Sequence, residues 1–207
     1  MKPRYIRIAC ALVASGALAF GHAASAEPSY QLILGTTTVV ISAETQATLD
    51  SQGIIVRRVN PATFAPDAGV GTLPISAGDI DTGASELSIE VLHQGGLTLR
   101  GGGTRVALTS FVIGTLGPDS ILTAVIKVND TIVGRIRMFR VELTETPIVV
   151  PPEGTTSGKV RLSNVELRLS QAAADALNAA FGLTDVFDGG SLFGTAEVFA
   201  RTRDNDG

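Results

Sequence analysis

RVALTSFVIGTLGPDSILTAVIKVNDTIVGRIRMFRVEL, residues 105–143, is the stretch that decides the fold class. Three runs rich in β-branched residues, Arg105–Ile113, Ile121–Val128 and Ile132–Leu143, largely alternate apolar with polar side chains. That period of two marks strands with one buried face. Asn129-Asp130 separates the second run from the third, and both residue types tolerate the positive φ that a tight hairpin demands.

Outward from this stretch the pattern continues. Further strands are expected at Tyr30–Leu34, Thr37–Ile41, Ile54–Val59, Glu86–Leu92, Leu97–Arg100, Lys159–Leu169 and Ser191–Phe199, with Gly101-Gly102-Gly103 as another turn. So many short strands between Gly, Pro and Asp/Asn turns predict a mainly β chain, an antiparallel β-sandwich or barrel-like domain. Two segments break the period. Ser42 before Ala43–Gln52 and Ser170 before Gln171–Phe181 read as helix caps, with Gly53 and Gly182 as stops, which adds two short helices. In the second, Ala173, Leu177, Ala180 and Phe181 share one face and should pack on the sheet. The matching Ser-to-Leu intervals, Ser42 to Leu49 and Ser170 to Leu177, suggest a two-half pseudo-repeat, with coincidence as the alternative. Asn60–Pro74 reads as a long loop or irregular edge. The Pro-rich 147–157 stretch reads as a linker inside one β-rich domain, residues 27–207, and Arg201–Gly207 as a frayed tail.

Residues 1–26 read as a cleavable signal peptide. Lys2, Arg4 and Arg7 precede the apolar run Ile8–Phe20, and Ala24-Ser25-Ala26 supplies the small residues a peptidase reads. The run is short of the roughly 20 residues a membrane span needs, so no transmembrane anchor is expected in the mature chain. The expected destination is periplasmic or extracellular. Cleavage removes three of the 16 basic residues and none of the 20 acids, leaving 13 against 20, a net charge of −7. Such a surface repels phosphate backbones and anionic lipid, which argues against nucleic acid and membrane adsorption. Cys10 and His22 leave with the leader, so disulfides, thiolate sites and zinc are argued against, and His93 and Tyr30 become the sole mature His and Tyr.

Few residues suggest chemistry. His93 follows Leu87, Ile89 and Val91 at two-residue steps, so its imidazole should face the apolar side, either as a core histidine held by a backbone carbonyl or as an iron or haem ligand. Asp79-Ile80-Asp81 between Gly78 and Gly83 reads as solvated acids near a turn, lacking the further oxygens of a calcium loop. Arg135, Arg137 and Arg140, with Arg100 and Arg105, would form a cationic patch for a carboxylate or propionate; the alternative is ordinary exposed strand positions paired with Glu90, Glu142 and Glu166. No nucleophile elbow, P-loop or dinucleotide fingerprint occurs, and the chain is read as nonenzymatic.

The order of features resembles the Htaa-type secreted haem-uptake domain. The resemblance rests on His93-Gln94-Gly95-Gly96-Leu97-Thr98-Leu99, then Val106–Val112, then Leu122-Thr123-Ala124-Val125. Leu169-Ser170, the run Ala176–Gly182, Phe187 and Gly194-Thr195-Ala196 extend it to about half of the mature chain. It implies capture of haem at the surface or in the periplasm, with His93 contributing to binding. Tyrosines also support haem in that family, and this chain departs by keeping only Tyr30. Two functions follow as expectations: an exported nonenzymatic binding module for haem or iron acquisition, or a structural or adhesive envelope protein whose partner is another envelope protein.

Overall fold

In the computed structural model, residues 30–81, 88–116, 119–142, 148–149 and 157–204 are described. The expected signal peptide, residues 147 and 150–156 of the expected 147–157 linker, Gly83, Leu87 and the last three residues of the tail lie outside them. The strands are β1 (Tyr30–Ile41), β2 (Ile55–Val59), β3 (Thr63–Ala65), β4 (Val70–Asp81), β5 (Ser88–His93), β6 (Gly96–Gly101), β7 (Thr104–Leu116), β8 (Asp119–Val128), β9 (Thr131–Glu142), β10 (Ile148–Val149), β11 (Ser157–Leu169) and β12 (Leu192–Asp204). Helix α1 spans Ala43–Ser51 and α2 spans Gln171–Phe181.

All strand pairings are antiparallel, and eight strands close on themselves in the order β7-β5-β4-β1-β12-β11-β9-β8, with β8 pairing back to β7. Of the two expected architectures the barrel is the one formed. Closure turns on β7, whose start (Thr104–Thr109) pairs with β6 while Val112–Gly114 pairs with β5. The register to β8 slips between Thr109 and Val112, and Ser110 takes φ 51°. The slip is a bulge, and bulges bend a strand as a closing sheet requires. Asn129 and Asp130 form the hairpin turn with φ 48° and 69°, as their residue types predict.

Each serine cap forms. Ser42 Oγ accepts from the Thr45 amide at 3.1 Å and Ser170 Oγ from the Ala173 amide at 3.0 Å, while Gly182 ends α2 in the left-handed region. Helix α2 buries Ala173, Ala174 and Leu177, and α1 buries only Leu49. Interior side chains such as Ile80, Val91, Val106, Val160, Leu167 and Val198 come from alternating positions around the barrel. Eight strands leave an interior of about the size its own side chains fill.

Four expectations are corrected. Arg201–Asp204 is not frayed, because it is the end of β12 and pairs with β1 on one side and β11 on the other. Tyr30–Leu34 and Thr37–Ile41 are one strand, because Gly35 is a point of close approach to β12 and not a break: a Cβ there would strike the Phe199 carbonyl. Of the two readings of Asn60–Pro74 the irregular edge holds and the loop does not, since the short strand β3 pairs with β4, whose first five residues lie within the segment, with Pro74 opposite Thr36. Asp79 and Asp81 belong to no turn; they flank the fully buried Ile80 on β4, opposite Glu90 and Ser88 of β5.

Candidate functional site

His93, the last residue of β5, is 6% exposed and points into the barrel. Its Nδ1 lies 3.2 Å from the Phe111 carbonyl and its Nε2 lies 2.6 Å from Thr37 Oγ1. A carbonyl only accepts, so Nδ1 carries the proton and donates, and Nε2 accepts from the Thr37 hydroxyl. The ring is thus neutral and fixed in tautomer. Burial pushes its pKa from 6.5 down to about 4, opposed in part by the Phe111 carbonyl. A cavity of about 40 Å³ adjoins the ring, and beyond His93 and Thr37 its walls are apolar, among them Leu97, Leu108, Phe111, Leu122, Phe139 and Phe193.

The bulge in β7 links this histidine to an arginine on the outside. Ser110 and Phe111 fall between the β6-paired and β5-paired parts of the strand, so on that edge their carbonyls have no ladder partner. His93 serves the Phe111 carbonyl from within, and Arg135 Nη1 donates to the Ser110 carbonyl at 2.9 Å and to Thr123 Oγ1 at 2.9 Å from without. Two residues far apart in sequence satisfy one irregularity.

Arg135, Arg137 and Arg140 all reach the outer face of β9. Arg137 and Arg140 are three apart and would face oppositely in an even strand. A register slip, Leu122 opposite Phe139 but Thr123 opposite Arg137, bulges Met138 and turns both arginines outward. Their expected partners are taken: Glu166 lies 2.6 Å and Glu142 3.5 Å from Arg168. Arg105 is held by Asp130 at 2.7 Å, away from the trio, and Arg100 pairs across from Arg105 on β6.

Beside this row, the outer wall of β5, β7 and β8 carries an open groove of about 560 Å³. Val112, Gly114, Ile121 and Thr123 floor it, with Glu90 at one side and Arg135 at the other. Gly114 keeps it open, since a Cβ there would meet no atom within 4 Å. Sequence reasoning missed Thr37, Phe111, Gly114 and Arg168. Only Gly114 left a signal, as a glycine inside a β pattern marks a bulge or a space left for something else.

The closed antiparallel barrel has a counterpart among solved structures. The C-terminal domain of HtaA from Corynebacterium glutamicum superposes with a TM-score of 0.63 at 14% identity, over 84% of this chain and 99% of that one. The heme binding protein HtaB from the same organism is also similar, with a TM-score of 0.48 at 11% identity over 84% of this chain and 95% of its own. At these identities the likeness to HtaA is one of fold. No family model and no curated protein matches the sequence.

Haem does not fit at His93 in this structure. The donor chemistry would suit iron, because metal-bound histidines hold their second ring N–H on a carbonyl or carboxylate. The space would not, since about 40 Å³ is far below the ~300–1,000 Å³ of ordinary ligand clefts, and Thr37 already engages Nε2. Tyr30 and Met138, further candidate ligands, are 3% and 1% exposed in the core. Among the described residues no three His, Cys, Asp or Glu side chains converge, and no helix is long and apolar enough to cross a membrane.

Proposed function

We propose that this chain is an exported, nonenzymatic binding module of the cell envelope, whose ligand is an amphipathic porphyrin of the haem class seated on the outer wall of the barrel. The observation that carries this reading is the groove itself: about 560 Å³, floored by Val112 and Ile121, rimmed by Arg135, on an HtaA-type barrel. Its volume falls within the range that ligand clefts occupy. An apolar floor suits a flat macrocycle, and a guanidinium at the rim suits a carboxylate substituent. Arg135 already spends one nitrogen on Ser110 and Thr123, which holds its fork in place.

In this reading His93 is not the handle for iron. It fastens β5 and β1 to the bulge in β7, whose outer side is the groove. The leader carries the chain out of the cytoplasm, and residues 27–207 act as one domain.

Gly114→Leu tests the seat. Its Cβ meets open space and the backbone there is not left-handed, so the new side chain fills the groove without straining the strand. Absorbance titration with haem should give saturable binding by the wild type and at least about a tenfold weaker complex with Gly114→Leu, since a displaced apolar contact of this size is worth about 1.5–3 kcal/mol. Equal binding by the two proteins overturns the seat. Absence of saturable haem binding overturns the ligand class and leaves the structural or adhesive role, for which Ile132 and Val133, 65% and 61% exposed on β9, are the surface to examine.

A further inference from the structure

On the opposite flank of β9 from the groove, a second cleft of about 290 Å³ opens toward the start of α2. Arg137, Arg140 and Arg168 line it, with Ser170, Gln171 and the Gly189-Gly190 turn on the facing wall. Arg140 and Arg168 are direct cross-strand partners in the β9–β11 register, and like charges placed opposite one another destabilise a sheet. Arg168 is offset by Glu142 and Glu166, but Arg137 and Arg140 carry no salt bridge among the described residues. The arrangement is held firmly. Ser170 donates its hydroxyl proton to the Arg137 carbonyl at 2.5 Å and its amide to the Met138 carbonyl at 2.9 Å, which pins α2 to the β9 bulge that brings Arg137 to this face.

Two uncompensated guanidiniums crowded into a cleft of an otherwise acidic chain call for an anion that supplies two charges and several oxygens. A single carboxylate offers one charge and two oxygens. A phosphate dianion matches both counts, and the arginine fork meets phosphate oxygens in pairs.

We propose that Arg137, Arg140 and Arg168 form a binding cleft for a phosphate or phosphomonoester, independent of the groove on the other side of β9. Calorimetric titration of the full chain with inorganic phosphate, glycerol phosphate and acetate tests it, in the wild type and in the double variant R137Q/R140Q. Saturable phosphate binding that weakens with added salt, weak acetate binding, and a loss of at least about tenfold in the double variant are expected. Tighter binding of glycerol phosphate than of inorganic phosphate assigns the cleft to an organic phosphate, and the reverse order to the free ion. The double variant should unfold at or above the wild-type temperature, because cross-strand repulsion is relieved, so lost binding cannot be ascribed to misfolding. Phosphate bound no better than acetate, or bound equally by wild type and double variant, overturns the proposal.

Discussion

Lowering the pH should cost this protein about 3 kcal/mol of stability through His93 alone. The imidazole is 6% exposed, and its pKa falls from 6.5 to about 4, with burial as the main cause. Between those values the unfolded chain binds a proton that the folded chain refuses, so stability rises with pH across the interval. The contribution is fully present above pH 6.5, is lost as the pH falls, and levels off near pH 4, where the folded state also takes the proton. At roughly 1.4 kcal/mol per pH unit, the interval is worth about 3 kcal/mol, a large share of the ~5–15 kcal/mol that holds a typical domain. The Phe111 carbonyl offsets only part of the penalty, and no lining residue besides His93 has an ionisable side chain. The assay is urea unfolding from about pH 7.5 to about pH 4, on the wild type and on His93→Gln. Carboxylates titrate in both proteins, so the difference between the two curves isolates the imidazole. The wild type should lose about 3 kcal/mol more than the variant over this range. Parallel curves would instead mean that the ring is hydrated in the folded state or charged against a partner, and that its burial carries no such cost.

Thr37→Val leaves Nε2 of His93 as a buried acceptor without a donor, and should lower unfolding free energy by about 1–3 kcal/mol, read from the urea midpoint at neutral pH. Ser170→Ala removes both the cap on Ala173 and the link to the Arg137 carbonyl; a loss of about 1–2 kcal/mol by denaturant unfolding is expected, more than for a cap on an isolated helix. Gly35→Ala drives a Cβ onto the Phe199 carbonyl, with Ala200 Cα at 2.8 Å, and should destabilise by about 1–3 kcal/mol or abolish soluble expression, whereas Gly102→Ala, in open space, should cost less.

Much of the scaffold is written in local pattern. The strands around Asn129-Asp130 and the serine caps at Ser42 and Ser170 need only their neighbours, and there the sequence reading and the structure agree. What failed was long-range. Gly35 looks like a strand end because glycine is flexible, yet its role is to let β12 approach, which no local window contains. Pro74 looks like a loop residue because it cannot donate to a ladder, and it is tolerated in β4 because pairing with β5 begins only at Ile75. The choice between sandwich and barrel rests on a bulge at Ser110, a residue that nothing marks as left-handed. The inward direction of His93 was legible from Ile89 and Val91 at alternate positions. Its partner Thr37, 56 residues away, was not. The arginine patch was legible as three charges on one run, but the bulge at Met138 that gathers Arg137 and Arg140, and the loss of Glu142 and Glu166 to Arg168, exist only in the assembled sheet.

In the proposed function the ligand is recognised on the outer wall by its ring and its carboxylate, without a bond from His93 to iron. Comparing the affinity of the wild type for haem and for the same porphyrin without metal tests this most directly. Affinities within a few-fold of one another are expected, with a haem spectrum that His93→Gln leaves unchanged. Binding that requires the iron, with a spectrum altered in His93→Gln, would contradict it and place the ligand inside an opened barrel.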